Sequence, residues 1–445
     1  MSMNKDTNCH NFNNTMIIPI YYLFSVPCWC KILLTNSGCH PLIRLKGKME
    51  SNRIKTIKIK HLLMAAAICI QLIWYGIIMW HFKPDPHQPT DFIIFYTAGR
   101  IAATGRYDLI YDLEAQRAVH QELLGVPLAV NQFLPFNHPP MFVPLIQLIA
   151  GGNYTTSYWG WVAILAAFLV AAMIVFNRLL QAEKMEAGSR WLLILVSVLF
   201  YPLFISLFRG QDSVIVFLGV MLWMYGLLSN RDALSGAGLA LAVLRPQVAL
   251  MLAIPFLVKR RKVWWWFCGF ASLLAIYSLF LVGWTGVRDF FFLIGVSAQG
   301  QWYGMEQRAM LNFTGLVMRL FPQGNLNIIH TVAWGLFCVG LAMLSIWWKR
   351  SPEIRLRQIV VAVTFSVFAA PHLFYHDLTL LLIPCLGVGL AAIRANRLKI
   401  WEVAGLLTIV SFSLMVSVFW KPIYNILPYL WMAVLVWAVW QYETG

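Results

Sequence analysis

Apolar runs of about 18 to 24 residues recur along the chain, starting at 61–81, and this feature constrains the fold more than any other. A helix of that length spans a bilayer core of roughly 30 Å. Lipid offers no partner to backbone N–H and C=O groups, so such runs must cross it as helices. With 60% of the 445 residues hydrophobic and 12% charged, little is left for a soluble domain. The chain is therefore expected to be an all-α polytopic membrane protein with about 11 to 13 transmembrane or re-entrant helices.

The formal charge of +16 raises the question of nucleic acid. The basic residues, however, fall in short clusters between apolar runs: Arg53 to Lys60, "KRRK" at 259–262, "KRSPEIRLR" at 349–357 and "RANRLK" at 394–399. That is the pattern of cytoplasmic loops under the positive-inside rule, and no basic soluble domain remains to bind nucleic acid. Orienting the helices by these clusters places the exit of 61–81, the "RGQD" turn at 209–212, the segment 284–326 and "PHLFYHD" at 371–377 on the external side.

Eight Cys are present, four of them (Cys9, Cys28, Cys30 and Cys39) in the first fifty residues. Their spacing fits neither a disulfide framework nor a zinc site. Residues 1–48 are expected to be a poorly ordered extension or a mis-called start, because Met49 opens an ordinary cytoplasmic lead-in, "MESNRIKTIKIKH". Residues 49–445 then form one integral-membrane domain whose first external loop covers about 82–138.

Within that loop, "TDFIIFYTAGRIAATGRYDLIYD" carries a carboxylate, Asp91, where the chain leaves the bilayer. The plain reading is a helix N-cap before an amphipathic helix lying on the membrane surface and closed by Gly105. The roles are not exclusive, since a carboxylate there is also well placed to act as a general base toward a hydroxyl. Tyr107, Asp108, Tyr111 and Asp112 read as loop architecture.

Other polar interruptions fall on the same expected face. His138 precedes a Pro-Pro helix start and is either a lip residue or a ligand. Arg209, Gln211 and Asp212 form a tight turn that needs Gly and one polar residue but not both charges. Arg245, followed by Pro246 and Gln247, sits in the middle of the apolar segment 235–258, where a charge costs roughly 2.5–3.5 kcal/mol. Two half-helices meeting at "RPQ" relieve the strain if the break lines a wet cavity. Paired with Asp212, Arg245 is structural; paired with a phosphate, it is functional. Glu306, Arg308 and Asn312 lie in a later loop, where a solvated ion pair is an equal alternative for the two charges. His372 and His376 are four apart, but no third ligand stands at a recognisable metal spacing.

In order, "DFIIFYTAGRIAATGRYDLIYD", "PFNHPPMFVPLIQLI", "LFRGQDSVIVFLGVMLW" and "GAGLALAVLRPQVALMLAIPFLVKRR" resemble glycosyltransferase family 87, which includes mannosyltransferases that use polyprenyl-phosphate mannose. The likeness extends over about residues 60 to 395. It implies a GT-C fold with an external active site and an Asp base in the first external loop, here Asp91. It further implies a donor-phosphate clamp, for which Arg245, Arg209, Arg308 and His376 are the candidates, with Gln211, Asp212, Gln247, His138 and Asn312 as substrate ligands. The family commonly has Lys-Pro where this chain has Arg245-Pro246.

The resulting expectation is a plasma (inner) membrane hexosyltransferase, with its site toward the periplasm or exterior. It would move a hexose, mannose first, from a polyprenyl-phosphate donor to a lipid or glycan acceptor with inversion. Its partners are that donor, the acceptor and membrane lipids. No nucleotide-phosphate loop is present and no cofactor is expected; a divalent cation is not indicated. The rival reading is a transporter or flippase of a lipid-linked or small anionic substrate, which also uses broken helices and buried Arg. Against it, the halves show no hydropathy repeat, and the polar residues gather toward one face.

Overall fold

A computed structural model of the chain describes residues 46–82, 84–86, 90–129, 131–298, 307–419 and 426–444. Two units are distinguished, 1–59 and 60–445. In the first, residues 46–59 are helical; the expected extension lies, up to residue 45, outside the described residues, as does Glu306. The second is all helical, with no strand among the described residues.

Its helices, in chain order, are α1 (Leu62–His81), α2 (Phe92–Ala103), α3 (Leu113–Leu124), α4 (Val143–Ala150), α5 (Tyr154–Ala182), α6 (Ala187–Val198) and α7 (Tyr201–Arg209). There follow α8 (Ser213–Leu228), α9 (Asp232–Leu241), α10 (Pro246–Ala253), α11 (Arg261–Ala298, bent at Gly283), α12 (Phe313–Leu320) and α13 (Leu326–Arg350). The last four are α14 (Leu356–Ala369), α15 (Leu382–Arg394), α16 (Ile400–Phe419) and α17 (Leu427–Thr444).

Among the described residues six helical segments are long and apolar enough to cross a membrane, and α6 with α7, bent by 53° at Leu199–Phe200, makes a seventh. The other apolar segments run only 10–17 residues, short of the roughly 20 needed for a full crossing. Several of these short helices are the core. α8 is apolar around its whole circumference and almost wholly buried, as a helix with no polar face must be. It is gripped by α9 through Gly219 and Gly238: a Cβ on Gly219 would stand 2.6 Å from the Gly238 carbonyl oxygen. The long helices carry the outer surface. Trp80, Phe280 and Trp284 are 77–84% exposed, a density of bare aromatics that suits lipid and would be a liability in water.

Two features differ from, or sharpen, the sequence reading. α2 does not lie on a surface. Phe92 to Gly99, Ile101 and Ala102 are buried, because "FIIFYTAG" is apolar on every side, and Gly99 leaves room for Ile146 and Ala150 of α4. The amphipathic helix of the first loop is α3, which buries Gln116 and His120 and turns Glu122 outward. The expected break at "RPQ" is present. α9 and a 3-10 turn end at Leu244, Arg245 takes φ −121° and ψ 80°, and α10 restarts at Pro246. Pro246 occupies the first helical position, where its missing N–H is no loss.

Candidate active site

The site is assembled around the "RGQD" turn. α7 ends at Arg209, and Gly210 adopts φ +70°, which lets the Gln211 N–H close back on the Ser206 carbonyl at 2.8 Å, a glycine-type helix stop. A Cβ at Gly210 would lie 2.9 Å from that of Phe92. The turn is thus pressed against the start of α2. From α5, the Tyr158 hydroxyl donates to the Phe208 carbonyl at 2.6 Å and the Trp161 indole N–H to that of Gly210 at 2.8 Å. These bonds satisfy carbonyls that a helix end leaves without partners.

Because of this clamp, Arg209 meets Asp91. Its Nη1 is 3.8 Å from Asp91 Oδ1, with the Arg side chain half exposed and the Asp side chain 28% exposed. Asp91 occupies the N-cap position of α2, yet its side chain makes no capping bond; Thr90 Oγ1 accepts the Phe92 N–H instead, at 3.3 Å. Capping is therefore not what occupies this carboxylate. Asp112, by contrast, is a working cap, accepting from the Ala115 N–H at 2.7 Å, and Asp108 pairs with the exposed Arg106.

Behind the turn, Arg245 joins three parts of the chain. Its Nε donates to Asp377 Oδ1 at 3.0 Å, its Nη2 lies 3.0 Å from Asp212 Oδ1, and its Nη1 reaches the Leu244 carbonyl at 3.3 Å. Ser213 Oγ donates to Asp377 Oδ1 at 2.6 Å and the Phe374 N–H to Oδ2 at 3.2 Å. All three guanidinium nitrogens are taken and both carboxylates are buried. The arginine expected to hold a phosphate is thus found paired with two carboxylates, the structural alternative for its partner. Asp377 is the partner that sequence reasoning did not assign. The available signal was its position at a helix start opposite an Arg that required a carboxylate.

His138 completes this cluster, with Nδ1 2.8 Å from Asp212 Oδ2. It is set there from the first loop: the Tyr111 hydroxyl donates to its carbonyl at 2.7 Å, and Gln116 Oε1 accepts the Phe136 N–H at 2.7 Å. His376 Nε2 stands 3.5 Å from Asp377 Oδ2, and Asp91 is near enough for its charge to act on it. His372 is half-buried, and its loss of solvation, with the nearby Arg245 charge, pushes its imidazole down to about 4, so it is neutral near pH 7. Gln211 is buried with its Oε1 unpaired among the described residues.

The remaining expected ligands sit elsewhere or are already engaged. Gln247 donates to the His372 carbonyl at 2.9 Å. Asn312 caps α12 through the Gly315 N–H and donates to the Ala370 carbonyl at 2.6 Å. Arg308 is exposed and donates to the Pro322 carbonyl at 2.9 Å. These three hold loops together. His138 and Asp212 border a narrow cleft walled by Phe95, Phe142 and Trp161, with room for about one water. Among the described residues no three His, Cys, Asp or Glu side chains are arranged to hold a metal ion.

The family model for glycosyltransferase family 87 matches residues 136–371, more than half of the chain. The chain belongs to glycosyltransferase family 87. The match includes His138, Arg209, Asp212 and Arg245, begins after Asp91 and ends before His376. No curated protein and no solved structure matches the chain. Membership, with the set of long apolar helices, makes this a multi-pass membrane glycosyltransferase, compatible with the GT-C superfamily, that takes a sugar from a donor to an acceptor. The transporter reading gives way to it.

Proposed function

We propose that this family 87 member moves a hexose, mannose first, from a polyprenyl-phosphate donor to a hydroxyl of a lipid or glycan acceptor, on the external face of the plasma (inner) membrane, with inversion. The observation that carries this reading is the Asp91 carboxylate, partly exposed, free of the capping bond its position invites, and 3.8 Å from the half-exposed Arg209.

In this reaction Asp91 takes the proton of the acceptor hydroxyl as its oxygen attacks the anomeric carbon from the side opposite the phosphate. A base in hydrogen-bond reach of a hydroxyl is worth about 10²–10⁴ in rate. Arg209 is the cation left to meet the phosphate, since Arg245 is held by Asp212 and Asp377 and Arg308 sits on a loop carbonyl. His376, on which the Asp91 charge acts, and Gln211, whose Oε1 is unpaired among the described residues, are the candidates to contact the sugar or phosphate. No divalent cation is required by this assignment.

The test uses membranes containing the protein, a radiolabelled polyprenyl-phosphate mannose and endogenous acceptor lipids. Wild-type protein should yield a labelled glycosylated product, and Asp91→Asn, at equal expression, should lower its formation by about 10²–10⁴. Transfer by Asp91→Asn at the wild-type rate would remove Asp91 as the base. Absence of any product from wild type would remove the donor.

A further inference from the structure

The contacts of His138 fix which ring nitrogen carries its proton. Nδ1 lies 2.8 Å from Asp212 Oδ2 and 3.3 Å from Arg245 Nη1. A carboxylate only accepts and a guanidinium only donates, so one ring nitrogen cannot hydrogen-bond to both. The shorter contact is the charge-assisted one, which makes Nδ1–H a donor to Asp212 and leaves Arg245 as a neighbouring charge. The ring is held on its faces by Phe95 and Phe136, with centroids 4.9 and 5.7 Å away. Nε2 has no hydrogen-bond partner among the described residues, and the imidazole borders the cleft. A carboxylate that orients an imidazole and leaves its other nitrogen open is the arrangement used for proton transfer in acid–base sites.

The placement of this pair is as informative as its geometry. Asp212 lies three residues beyond Arg209, which faces Asp91. Phe95, four residues and one helical turn from Asp91 on the same side of α2, packs on the His138 ring. The Asp91–Arg209 pair and the His138–Asp212 pair are therefore carried on packed neighbouring elements, the start of α2 and the 209–212 turn. An acceptor hydroxyl at Asp91 would direct the departing phosphate toward Arg209 and His138.

Building on the reaction proposed above, we propose that His138 is its general acid, giving the Nε2 proton to the departing phosphate oxygen. As the acceptor oxygen forms its bond to the anomeric carbon, its proton goes to Asp91. The bond from that carbon to the phosphate oxygen breaks, its electron pair stays on the oxygen, and the His138 proton is transferred there. Imidazole is left neutral. Asp91 then loses its proton to water and Nε2 regains one from water, so the cycle closes with no other reactant. The departing phosphate oxygen gains negative charge as its bond to the anomeric carbon breaks, and a positioned proton donor beside it lowers that barrier. The charged groups that surround His138 are Asp212 and Arg245 in contact, with Asp377, His372 and His376 joined to the same cluster.

His138→Asn isolates this role, because the Asn amide can still donate to Asp212 while nothing replaces Nε2. Transfer from polyprenyl-phosphate mannose is measured against pH for wild type and variant, with thermal unfolding of both in detergent. We expect kcat to fall about 100-fold at an unchanged unfolding temperature. The alkaline decline of the wild-type profile should be absent from the variant, and His138→Ala should regain rate on addition of imidazole. A variant within a few-fold of the wild-type rate, or one keeping the alkaline decline, overturns the acid role. If His138→Asn does not fold, failure of imidazole to rescue His138→Ala overturns it as well. A wild type inert toward this donor overturns the donor assignment instead, and with it the leaving group the acid is meant to serve.

Discussion

Replacing Arg245 with Met removes one positive charge from between two buried carboxylates while keeping an unbranched side chain of similar reach. Asp212 and Asp377 are each 2% exposed, and each lies 3.0 Å from a different guanidinium nitrogen. At an effective dielectric of about 20, each contact is worth roughly 5 kcal/mol of gross attraction. Most of this is offset by desolvation, but removing one partner of a buried pair typically costs about 3–5 kcal/mol, because the remaining charge stays buried. In Arg245→Met, Asp377 keeps Ser213 and the Phe374 N–H, and Asp212 keeps only His138. The expected loss is therefore about 3–5 kcal/mol, read as an early transition in thermal and denaturant unfolding of detergent-solubilised protein. Arg245→Lys should fall between Met and wild type, since an ammonium restores the charge but lacks the planar fork that reaches both carboxylates. The triple variant Asp212→Asn, Arg245→Met, Asp377→Asn should recover much of the loss by removing all three charges together. If Arg245→Met unfolds with wild type, or the triple variant is no better than the single one, the pairing is not what accommodates this arginine.

Three smaller perturbations follow from the same geometry. Gly210→Ala places a side chain at φ +70° and 2.9 Å from the Phe92 Cβ; it should cost about 1–2 kcal/mol for the left-handed backbone plus the clash, and should lower transfer because it displaces Arg209 from Asp91. Arg209→Ala should lower kcat/KM for the donor by about 10- to 100-fold, the worth of a hydrogen bond to a charged group, with Arg209→Lys partly active; an unchanged kcat/KM would take Arg209 out of the site. His120, buried on α3 against Phe133 with Nε2 unpaired among the described residues, has its imidazole pushed by burial down to about 4. Between about 6.5 and 4 the unfolded chain binds a proton there that the folded chain does not, so stability is complete above pH 6.5 and declines by up to about 3 kcal/mol as pH falls toward 4; His120→Leu should flatten that decline, measured by unfolding at pH 7 and pH 4.5.

What the sequence disclosed was decided by how far each signal reaches along the chain. The break at Arg245-Pro246 was readable because proline chemistry and the cost of a mid-segment charge are local, and the structure puts the interruption at that dipeptide. The need for a carboxylate partner was readable too. Asp212 was readable as one candidate, but Asp377 was not, because it lies 132 residues after Arg245 and nothing local distinguishes it from other acidic residues. Asn312 and Gln247 show the complementary limit. A polar residue interrupting apolar sequence signals only that it has a partner, and here the partners are backbone groups, at Gly315 and Ala370 for Asn312 and at His372 for Gln247. Asp91 shows the opposite case. Its position invites a cap, but Asp91 takes helical backbone angles, φ −59° and ψ −14°, and the capping oxygen comes from Thr90, one residue earlier, a shift of one position that only the structure resolves. The result leaves a carboxylate at the positive end of a buried helix, opposite Arg209 and with no capping bond to hold it in place. The helix dipole and Arg209 both stabilise a charge there, and because no capping bond engages its oxygens they stay open to a hydroxyl, which is the physical argument for the chemical task proposed for it.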